Sequence, residues 1–280
     1  MKKQYLIYSD ESYIKGEYYS NFYGGALVDY SQMQYISNIL NKKKKELNLG
    51  QEIKWTKASE NYLDKYIEMI NLFFCFVKNN CIKIRIMFRQ NAFVFKQLPK
   101  EKYDIEYQLL YYQFIKHAFG LDYSIESEKD SIELKLYFDQ LPDTKEKNDI
   151  FKEHILYLNN IFDERIHIKK EDIVEINSKD HVIQQCMDII LGSMNFRLNN
   201  LNEVKIDGTN KRGKRTIAKE KLYKVILKNI REIYPNFNIG ITTGIRGNIK
   251  NRWYDPYRHW LFKTKNSQLD KSLTKKSKKI

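Results

Sequence analysis

Three aspartates are the residues of this chain best suited to chemistry. Asp10 and Asp139 each follow an apolar, alternating segment, and Asp188 lies inside an apolar stretch between Met187 and Ile189. A carboxylate in apolar surroundings is costly unless it is paired or binds a cation. Carboxylate oxygens are hard ligands that suit Mg²⁺ or Mn²⁺ rather than zinc. We therefore predict that the three aspartates converge on a divalent-metal site.

Such a cluster is suited to phosphodiester hydrolysis. Two ions held a few ångströms apart activate a water molecule and stabilise the leaving oxygen of a phosphodiester. Each acid alone has a simpler explanation, since Asp10 could cap a turn, Asp139 could cap a following helix, and Asp188 could pair with a lysine. Their combination on two strand ends and one helix is harder to explain by capping.

The elements that must position these acids alternate between strands and helices. Apolar alternation or density predicts strands at residues 4–9, 22–28, 82–88, 132–138 and 173–176. Helical periodicity predicts helices at residues 31–47, 59–78, 105–119, 145–162 and 182–198. The first two strands are close enough for an antiparallel hairpin, whereas the later ones need helical crossovers. Asp10 and Asp139 thus fall at strand carboxyl ends, where α/β sheets place their ligand sites.

This alternation predicts an α/β fold with a mixed sheet flanked by helices. The chain shows no internal repeat and no Pro/Gly-rich linker, so we expect one domain over residues 1–262 with a helical insertion. Residues 263–280 are rich in Lys, Ser and Thr. They predict a basic, disordered carboxyl-terminal tail.

Composition is that of a soluble globular protein, with 42% hydrophobic and 30% charged residues, and the features that follow predict a cytoplasmic location. The longest apolar stretch, residues 69–77, is too short to span a membrane. The amino-terminal residues lack the apolar core of a signal peptide. Three scattered cysteines form no CxxC pair and no disulfide framework. We expect a reducing compartment and no membrane partner.

The net charge of +14 fits a polyanion partner, because neutralising phosphates releases counterions. Abundant Lys, Asn, Ile and Tyr, as in proteins from AT-rich genomes, explains the same charge without a function. A glycine-containing stretch at residues 205–221 is expected to be a cationic loop, and an aromatic segment lies near residue 250. The candidate contacts to RNA or DNA are Lys211, Arg212, Lys214, Arg215, Arg246 and Arg252. The alternatives are an ordinary solvated loop for the first segment and core packing for the aromatic residues of the second.

Short sequence blocks in a fixed order carry a resemblance to a known family. Ile-Tyr-Ser-Asp-Glu-Ser at 7–12 is followed by Phe-Tyr-Gly-Gly-Ala-Leu-Val at 22–28 and Glu-Ile-Lys-Trp at 52–55. Tyr-Phe-Asp at 137–139, Ser178 with Gln-Cys-Met-Asp at 185–188, and residues 253–262 come next. These blocks resemble the family catalogued as domain of unknown function 3800. That family commonly has Leu-Ala where this chain has Cys-Met at 186–187, which changes the packing beside Asp188 and retains the acid.

The resemblance implies an RNase H-like fold and a metal-dependent nuclease activity, often found beside mobile elements or antiviral defence genes. It implies that Asp10, Asp139 and Asp188 are metal ligands and that Glu52 is a candidate fourth carboxylate. Lys54 would contact the scissile phosphate or orient Glu52. The alternative for this pair is a simple surface ion pair.

Four further residues are expected to support the site. Glu11 points to the opposite face if the strand continues, where it would donate or accept hydrogen bonds at the periphery or cap a turn. Ser178 is predicted to cap the helix that carries Asp188, and Gln185 to orient the Asp188 carboxylate from the same helical face. His259 is a candidate for proton transfer to a leaving group, or a structural residue that ties down the chain end.

The leading hypothesis is a Mg²⁺- or Mn²⁺-dependent endonuclease or exonuclease acting on RNA or DNA. The alternative is a catalytically silent nucleic-acid-binding or scaffold subunit of a defence system, although retention of all three acids favours the enzyme. A phosphotransferase or phosphatase is a third hypothesis. The chain has no Walker-type glycine-rich loop, which counts against nucleotide-driven chemistry. A protein partner from a defence system, or a second copy of the chain, is also expected.

Overall fold

A computed structural model describes residues 2–12, 15–50, 52–95, 106–125, 130–139, 144–244 and 247–275 of the chain. In these ranges the strands are β1 (Lys2–Ser12), β2 (Tyr19–Asp29), β3 (Ile82–Gln90), β4 (Phe93–Phe95), β5 (Ser131–Phe138), β6 (Ile166–His167), β7 (Ile173–Glu175), β8 (Tyr257–Leu261) and β9 (Ser267–Leu269). The α-helices are α1 (Tyr30–Glu46), α2 (Leu63–Lys78), α3 (Glu106–Ala118), α4 (Lys145–Leu156), α5 (Leu158–Ile161), α6 (Val182–Leu198), α7 (Lys214–Ile233) and α8 (Asn251–Tyr254).

One mixed sheet of seven strands organises the described chain, in the order β6-β5-β1-β2-β3-β8 with β7 also paired to β5. Strands β1, β2 and β3 are antiparallel neighbours. Strand β5 is parallel to β1, and β8 is parallel to β3. The predicted α/β class, with a mixed sheet flanked by helices, is therefore confirmed. The expected antiparallel pairing of the first two strands is confirmed as well.

Successive side chains of a strand point to opposite faces of the sheet, and helices pack against both faces. Leu6 and Tyr8 pack in the apolar cluster that includes α2, α6 and α7, whereas Ile7 packs in the cluster that includes α3 and α4. We call these sides the α6 face and the α3 face. Within the described ranges, no helix is both long enough and apolar enough to cross a membrane.

Helix α6 approaches the sheet closely at Gly24 of β2. A Cβ atom at this glycine would lie 2.9 Å from Cε of Met187 and 3.1 Å from a methyl of Leu191. Gly24 is the register partner of Asp10 on the neighbouring strand. The missing side chain therefore lets α6 settle directly over the end of β1.

Two sequence predictions about the basic regions are wrong in part. The predicted cationic loop at 205–221 becomes helix α7 from Lys214 onward, because Ala218, Leu222 and Ile226 recur at helical spacing and are buried. The tail predicted to be disordered from residue 263 contains β9, which pairs with β4. The Nζ atom of Lys263 lies 3.9 Å from the ring centroid of Phe93. Residues 276–280 lie outside the described residues.

Candidate metal and catalytic site

Asp10 and Asp139 lie side by side at the same end of the neighbouring strands β1 and β5. In the parallel register of β1 and β5, Ser9 is opposite Phe138, and the backbone amide of Asp139 donates to the carbonyl oxygen of Ser9 at 3.3 Å. Neighbouring parallel strands end at the same edge, where backbone pairing stops and side chains are free to meet a ligand. Asp139 directly follows its strand as predicted, whereas β1 continues past Asp10 to Ser12, because residues 10–12 still pair with β2.

Helix α6 brings Asp188 to the same edge. Gln184, one turn before Asp188, donates from Nε2 to the carbonyl oxygen of Ser9 at 2.9 Å. This is the carbonyl that receives the amide of Asp139, so a single peptide group connects β1, β5 and α6. Side chains four residues apart share a helical face, and Asp188 therefore faces the end of β1, beside Asp10.

A fourth segment, residues 52–55, contacts Asp188 and completes the site. The backbone amide of Trp55 donates to Oδ2 of Asp188 at 2.6 Å, and a 3₁₀ turn begins at the same residue. The nearby Lys54 and Glu52 exert charges that change the pKa of Asp188. The sequence block Glu-Ile-Lys-Trp is therefore part of the acidic site.

The acids repel one another electrostatically. Burial raises the pKa of Asp10 well above its usual value, and the charges of Asp188, Glu11 and Asp139 raise it further. Burial also raises the pKa of Asp188, against a lowering by the Trp55 amide and Lys54. Neighbouring acids that raise the pKa values of Asp10 and Asp188 indicate carboxylates in excess of their protein counter-charges. A cation would relieve this repulsion.

The donor chemistry of these residues fits Mg²⁺ or Mn²⁺. Asp10, Asp139 and Asp188 offer hard carboxylate oxygens, and the 7% exposure of Asp10 makes an unpaired charge costly. Among the residues that the structure describes, no three acidic, histidine or cysteine side chains stand at metal-ligating spacing. Asp10, Asp139 and Asp188 have the donor atoms for such an ion, although they do not stand at ligating spacing in this structure.

Glu52 lies at the side of the cluster and is held by three groups. Ser178 donates from Oγ to Oε1 of Glu52 at 2.9 Å. The Nζ atoms of Lys54 and Lys57 lie 3.0 Å and 3.3 Å from its two oxygens. Burial raises the pKa of Glu52, but the hydrogen bonds from Lys54 and Ser178 outweigh this and leave it lowered. Glu52 is thus an ionised carboxylate with its own protein partners.

Lys54 is the cation that faces the cluster. Burial lowers its pKa, but the hydrogen bond and charge of Glu52, followed by the charges of Asp139 and Asp188, leave the pKa raised. Its side chain is 34% exposed, so the ammonium group is accessible from solvent. The pair Lys54–Glu52 is therefore part of the acidic site rather than an isolated surface ion pair.

Two expected supporting roles are corrected. Ser178 does not cap the Asp188 helix, because it begins a separate 3₁₀ turn and α6 starts at Val182 after His181. Gln185 donates both Nε2 hydrogens to the carbonyl oxygens of Ser178 and Lys179, at 2.7 Å and 2.9 Å. No N–H of Gln185 is left for the Asp188 carboxylate.

Gln185 instead organises the segments around the site. Its Oε1 accepts from Nζ of Lys44 at 2.8 Å and from the backbone amide of Ile53 at 3.3 Å. The same side chain therefore ties the Ser178 turn to the segment that carries Glu52 and Lys54. Gln184, the neighbouring residue, connects α6 to the carbonyl oxygen of Ser9 on β1.

Glu11 points to the α3 face, as the alternation of β1 predicts. Its Oε2 accepts from the hydroxyl of Tyr111 at 3.2 Å. Burial raises its pKa to about 7, against hydrogen bonds from Tyr107 and Tyr111 that lower it, while the charge of Asp139 raises it. Glu11 is thus separated from the Asp188 side of the site by the strand itself, while still interacting with Asp139 electrostatically.

His259 is not brought to the carboxylates. It shares a row across the sheet with Ile86, Gly24 and Asp10, three strands away from Asp10, or about 14 Å at 4.8 Å per strand. The ring is 1% exposed, with Nδ1 2.8 Å from the carbonyl oxygen of Ile239 and Nε2 2.9 Å from the hydroxyl of Tyr257. Of the two roles predicted for His259, its position fits the structural role, and the prediction of proton transfer is wrong.

The predicted basic contacts fall into two groups. Arg215, at the start of α7, donates to the carbonyl oxygens of Thr56 and Ala58, next to the site. Arg212 binds the Glu220 carboxylate at 2.5 Å, whereas Lys214 and Lys211 are exposed. Arg252 is exposed on α8, far from this group along the sheet, and Arg246 lies outside the described residues.

The aromatic residues near position 250 differ in their surroundings. Trp253 and Tyr257 are buried, so core packing explains both. The Trp253 ring meets Tyr5 edge-on with centroids 5.1 Å apart, and Tyr257 meets Phe237 at 5.4 Å. Tyr254 is 42% exposed, with Nζ of Lys83 5.9 Å from its ring centroid.

Three contributors to the site were missed in the sequence. Gln184 was recognisable, because it is a second polar residue four positions before Asp188 on an apolar helix. Trp55 acts through its backbone amide, which no side-chain pattern reveals. Lys219 lies with Nζ 4.9 Å from the Trp55 ring centroid, and the charge of Asp188 raises its pKa against a larger lowering by burial. Helical spacing from Arg215 would have found it.

Comparison with known proteins adds no assignment. The chain matches no known family model. No curated protein is significantly similar to it.

Proposed function

We propose that this protein is a Mg²⁺- or Mn²⁺-dependent nuclease that hydrolyses phosphodiester bonds of RNA or DNA. The observation that carries the proposal is the meeting of three mutually repelling aspartates, two at parallel strand ends and one on α6, beside a solvent-accessible lysine. Capping explains part of this arrangement, since Asp188 accepts from the amide of Trp55, the first residue of a 3₁₀ turn, but it does not explain why Asp10 is buried among other acids. A cation would offset the negative charge of the three carboxylates.

The sheet supports the RNase H-like part of the proposal. Three antiparallel strands are followed, on the other side of β1, by the parallel strand β5. Asp10 lies two residues before the end of β1, and Asp139 directly follows β5. The resemblance to the domain of unknown function 3800 family rests on these same positions. On that basis we propose the reducing cytoplasm as the location and antiviral defence or a mobile element as the setting.

The chain's own residues would divide the work as follows. Asp10, Asp139 and Asp188 hold the ions, which supply water activation and stabilisation of the leaving oxygen when bound. Glu52 fixes the Lys54 ammonium, which would approach the scissile phosphate from the exposed side. Arg215 and the exposed Lys211 and Lys214 form a cationic flank that would track the backbone without reading sequence.

The decisive experiment compares wild type with Asp139→Asn on labelled RNA, single-stranded DNA and duplexes, with Mn²⁺ and with chelator. Asp207→Asn is the matched control, because Asp207 is exposed in the loop before α7. We expect wild type and the control to cleave with Mn²⁺ only, and Asp139→Asn to lose at least about 100-fold, as for loss of a main catalytic electrostatic group. Equal cleavage by all three proteins would reject the metal-site assignment.

Metal binding by calorimetry separates the second candidate function. Lys54 already supplies a protein cation beside Asp139 and Asp188, and this observation favours a silent subunit that neutralises its own cluster. Such a protein would bind nucleic acid and leave every substrate intact, with no saturable Mn²⁺ binding. Saturable Mn²⁺ binding that Asp139→Asn weakens supports the nuclease.

A further inference from the structure

A second polar centre lies on the α3 face of the sheet, away from the acids. Arg85 of β3 and Arg258 of β8 are register partners on neighbouring strands, so both side chains leave the sheet on one face. Gly25, the partner of Arg85 on β2, faces Phe114 of α3, which identifies that face. Arg85 is 1% exposed and Arg258 is 7% exposed. Two guanidinium groups are thus buried next to each other.

The hydrogen bonds of this pair are incomplete. Arg85 donates to the carbonyl oxygens of Ile84 and Arg252, both at 2.8 Å. Arg258 donates to the carbonyl oxygen of Thr243 at 2.8 Å. Nε of Arg85 and one terminal nitrogen of Arg258 are buried and have no partner among the described residues. A buried donor without a partner is destabilising, so both nitrogens are in position for an acceptor that the described part of the chain does not supply.

The charges around Arg85 and Arg258 also favour an anion. Lys83 is buried two residues before Arg85, with Nζ 4.0 Å from the Trp253 ring centroid. Asp255 offsets one of these charges, with Oδ2 3.8 Å from Nε of Arg258. Burial lowers the pKa of Arg85, and the charge of Arg258 lowers it further, yet a guanidinium keeps its proton at neutral pH. The centre therefore retains buried positive charge that an anion would offset.

Both arginines open onto one cavity of about 290 Å³. The cavity is also lined by Gln113, His117, Thr242, Arg252 and Trp260. Its size suits a small ligand, near the lower limit of small-molecule sites. Guanidinium groups bind phosphate oxygens through paired, charge-assisted hydrogen bonds.

We propose that this cavity binds a phosphate monoester, supplied by a mononucleotide or by the 5′-phosphate end of a nucleic-acid strand. The site is separate from the acidic cluster, since the side chains of Arg85 and Arg258 leave the sheet on the opposite face and belong to β3 and β8, two and three strands from β1. The proposal therefore goes beyond the nuclease activity and does not depend on it. Arg252, on the exposed rim, is the residue of this cavity that can be changed with least effect on folding.

The test measures binding by calorimetry and by the rise in melting temperature, in chelator and at constant ionic strength. The probes are inorganic phosphate, adenosine 5′-monophosphate, and one oligonucleotide with either a 5′-phosphate or a 5′-hydroxyl. Arg252→Gln removes a rim charge, and Arg231→Gln removes an exposed charge on α7 as the matched control. Ligand that binds only the folded state raises the melting temperature.

We expect saturable binding of inorganic phosphate and a phosphomonoester by wild type and by Arg231→Gln, and affinity about tenfold weaker for Arg252→Gln, as for loss of one charge-assisted contact. Preference for the 5′-phosphate over the 5′-hydroxyl strand identifies the strand end as the source. Equal affinity for the two strands, with tighter binding of the mononucleotide, identifies the free nucleotide. The proposal is overturned if wild type binds no phosphate saturably, or if the two variants weaken binding equally.

Discussion

Gly192 of α6 and Trp55 are in direct contact, so close that a Cβ atom at position 192 would lie 2.4 Å from Cγ of the indole. The backbone amide of the same Trp55 donates to Asp188, one helical turn before the glycine. The missing side chain at Gly192 therefore sets how closely the segment with Glu52 and Lys54 approaches the acid. A packing contact thus determines the geometry of a polar site.

Gly192→Ala tests this contact. Alanine in mid-helix ordinarily stabilises by roughly 0.5–1 kcal/mol relative to glycine, but here the added methyl must displace Trp55 and stretch its bond to Asp188. We expect the free energy of unfolding to fall by about 1–3 kcal/mol, as for overpacking, and Mn²⁺-dependent cleavage to fall with it. Urea denaturation and the cleavage assay measure the two effects.

Gly50→Ala is the control for Gly192→Ala. A Cβ atom at Gly50 would meet no atom within 4 Å, although the residue belongs to the same stretch of chain before Glu52. Its stability and cleavage should match those of wild type. Stability of Gly192→Ala equal to or above wild type would show that Trp55 moves freely and does not set the site.

The positions of Asp10 and Asp139 could be predicted from the sequence, because the apolar alternation before each acid is a local pattern. Asp10 and Asp139 each end an alternating apolar segment, and the parallel pairing of β1 and β5 brings the two ends together. Asp188 was recognisable as an acid on an apolar helix. The start of α7 was missed because the cations at 211–215 outweighed the apolar spacing that follows from Ala218.

The partners of those acids depend on tertiary packing and were not predictable. Ser178 follows the pattern of a helix cap, but its hydroxyl is used by Glu52, which is distant in sequence. Gln185 has the spacing to support Asp188 but meets two carbonyl oxygens first. Strand β9 was not predicted, because its pairing partner β4 is distant in the sequence and the residues of β9 show no local strand pattern.

Asp10→Asn should stabilise the metal-free protein at neutral pH. Burial and neighbouring acids raise the pKa of Asp10 in the folded state, so the folded state holds a proton that the unfolded state has released. Stability from this group is present below the unfolded pKa, near 4, and is lost as pH rises through the folded value. Asparagine removes that loss, and we expect the free energy of unfolding at pH 7 to be higher in this variant than in wild type.

Urea denaturation in chelator from pH 4 to 7.5 measures this difference. The gain should shrink toward pH 4, where the protonated Asp10 of wild type resembles asparagine. Asp207→Asn, on an exposed loop, should follow the wild-type curve throughout. Mn²⁺ should raise the stability of wild type more than that of Asp10→Asn. A gain that is independent of pH would contradict the electrostatic explanation.

His259 should act on stability with the opposite pH dependence. Its Nδ1 donates to the carbonyl of Ile239, so Nε2 accepts from Tyr257 and the ring is neutral. Burial lowers its pKa to about 4, against about 6.5 when unfolded. Its contribution is present above pH 6.5 and is lost as pH falls toward 4.

His259→Phe is expected to lower the free energy of unfolding by about 2–4 kcal/mol, because two buried polar groups lose their partner. The loss of stability that His259 causes as pH falls from 6.5 toward 4 should be absent from this variant. His154→Gln, at a half-buried position on α4, is the control and should leave the acid branch intact. The pH profile of cleavage by folded His259→Phe should match wild type. A shifted profile with unchanged stability would restore the proton-transfer role.

Lys54→Met should separate ion binding from cleavage. The Lys54 ammonium lies 3.0 Å from Glu52 and interacts with Asp139 and Asp188, so it partly neutralises the acids that would hold the ion. Removing this charge should tighten Mn²⁺ binding severalfold, since like charges near a cation site weaken it. In chelator it should cost about 1 kcal/mol, the upper value for a partly exposed pair.

Cleavage should fall in the same variant, because a lysine that approaches the scissile phosphate is needed once the ions are bound. Lys57→Met is the matched control. Lys57 binds the other oxygen of Glu52, at 3.3 Å, but its side chain is 55% exposed and therefore well screened. Calorimetry with Mn²⁺ and the cleavage assay distinguish the outcomes. Tighter Mn²⁺ binding with unchanged cleavage would leave Lys54 as a counter-charge alone, whereas weaker Mn²⁺ binding would mean that Lys54 holds Glu52 in place for the metal.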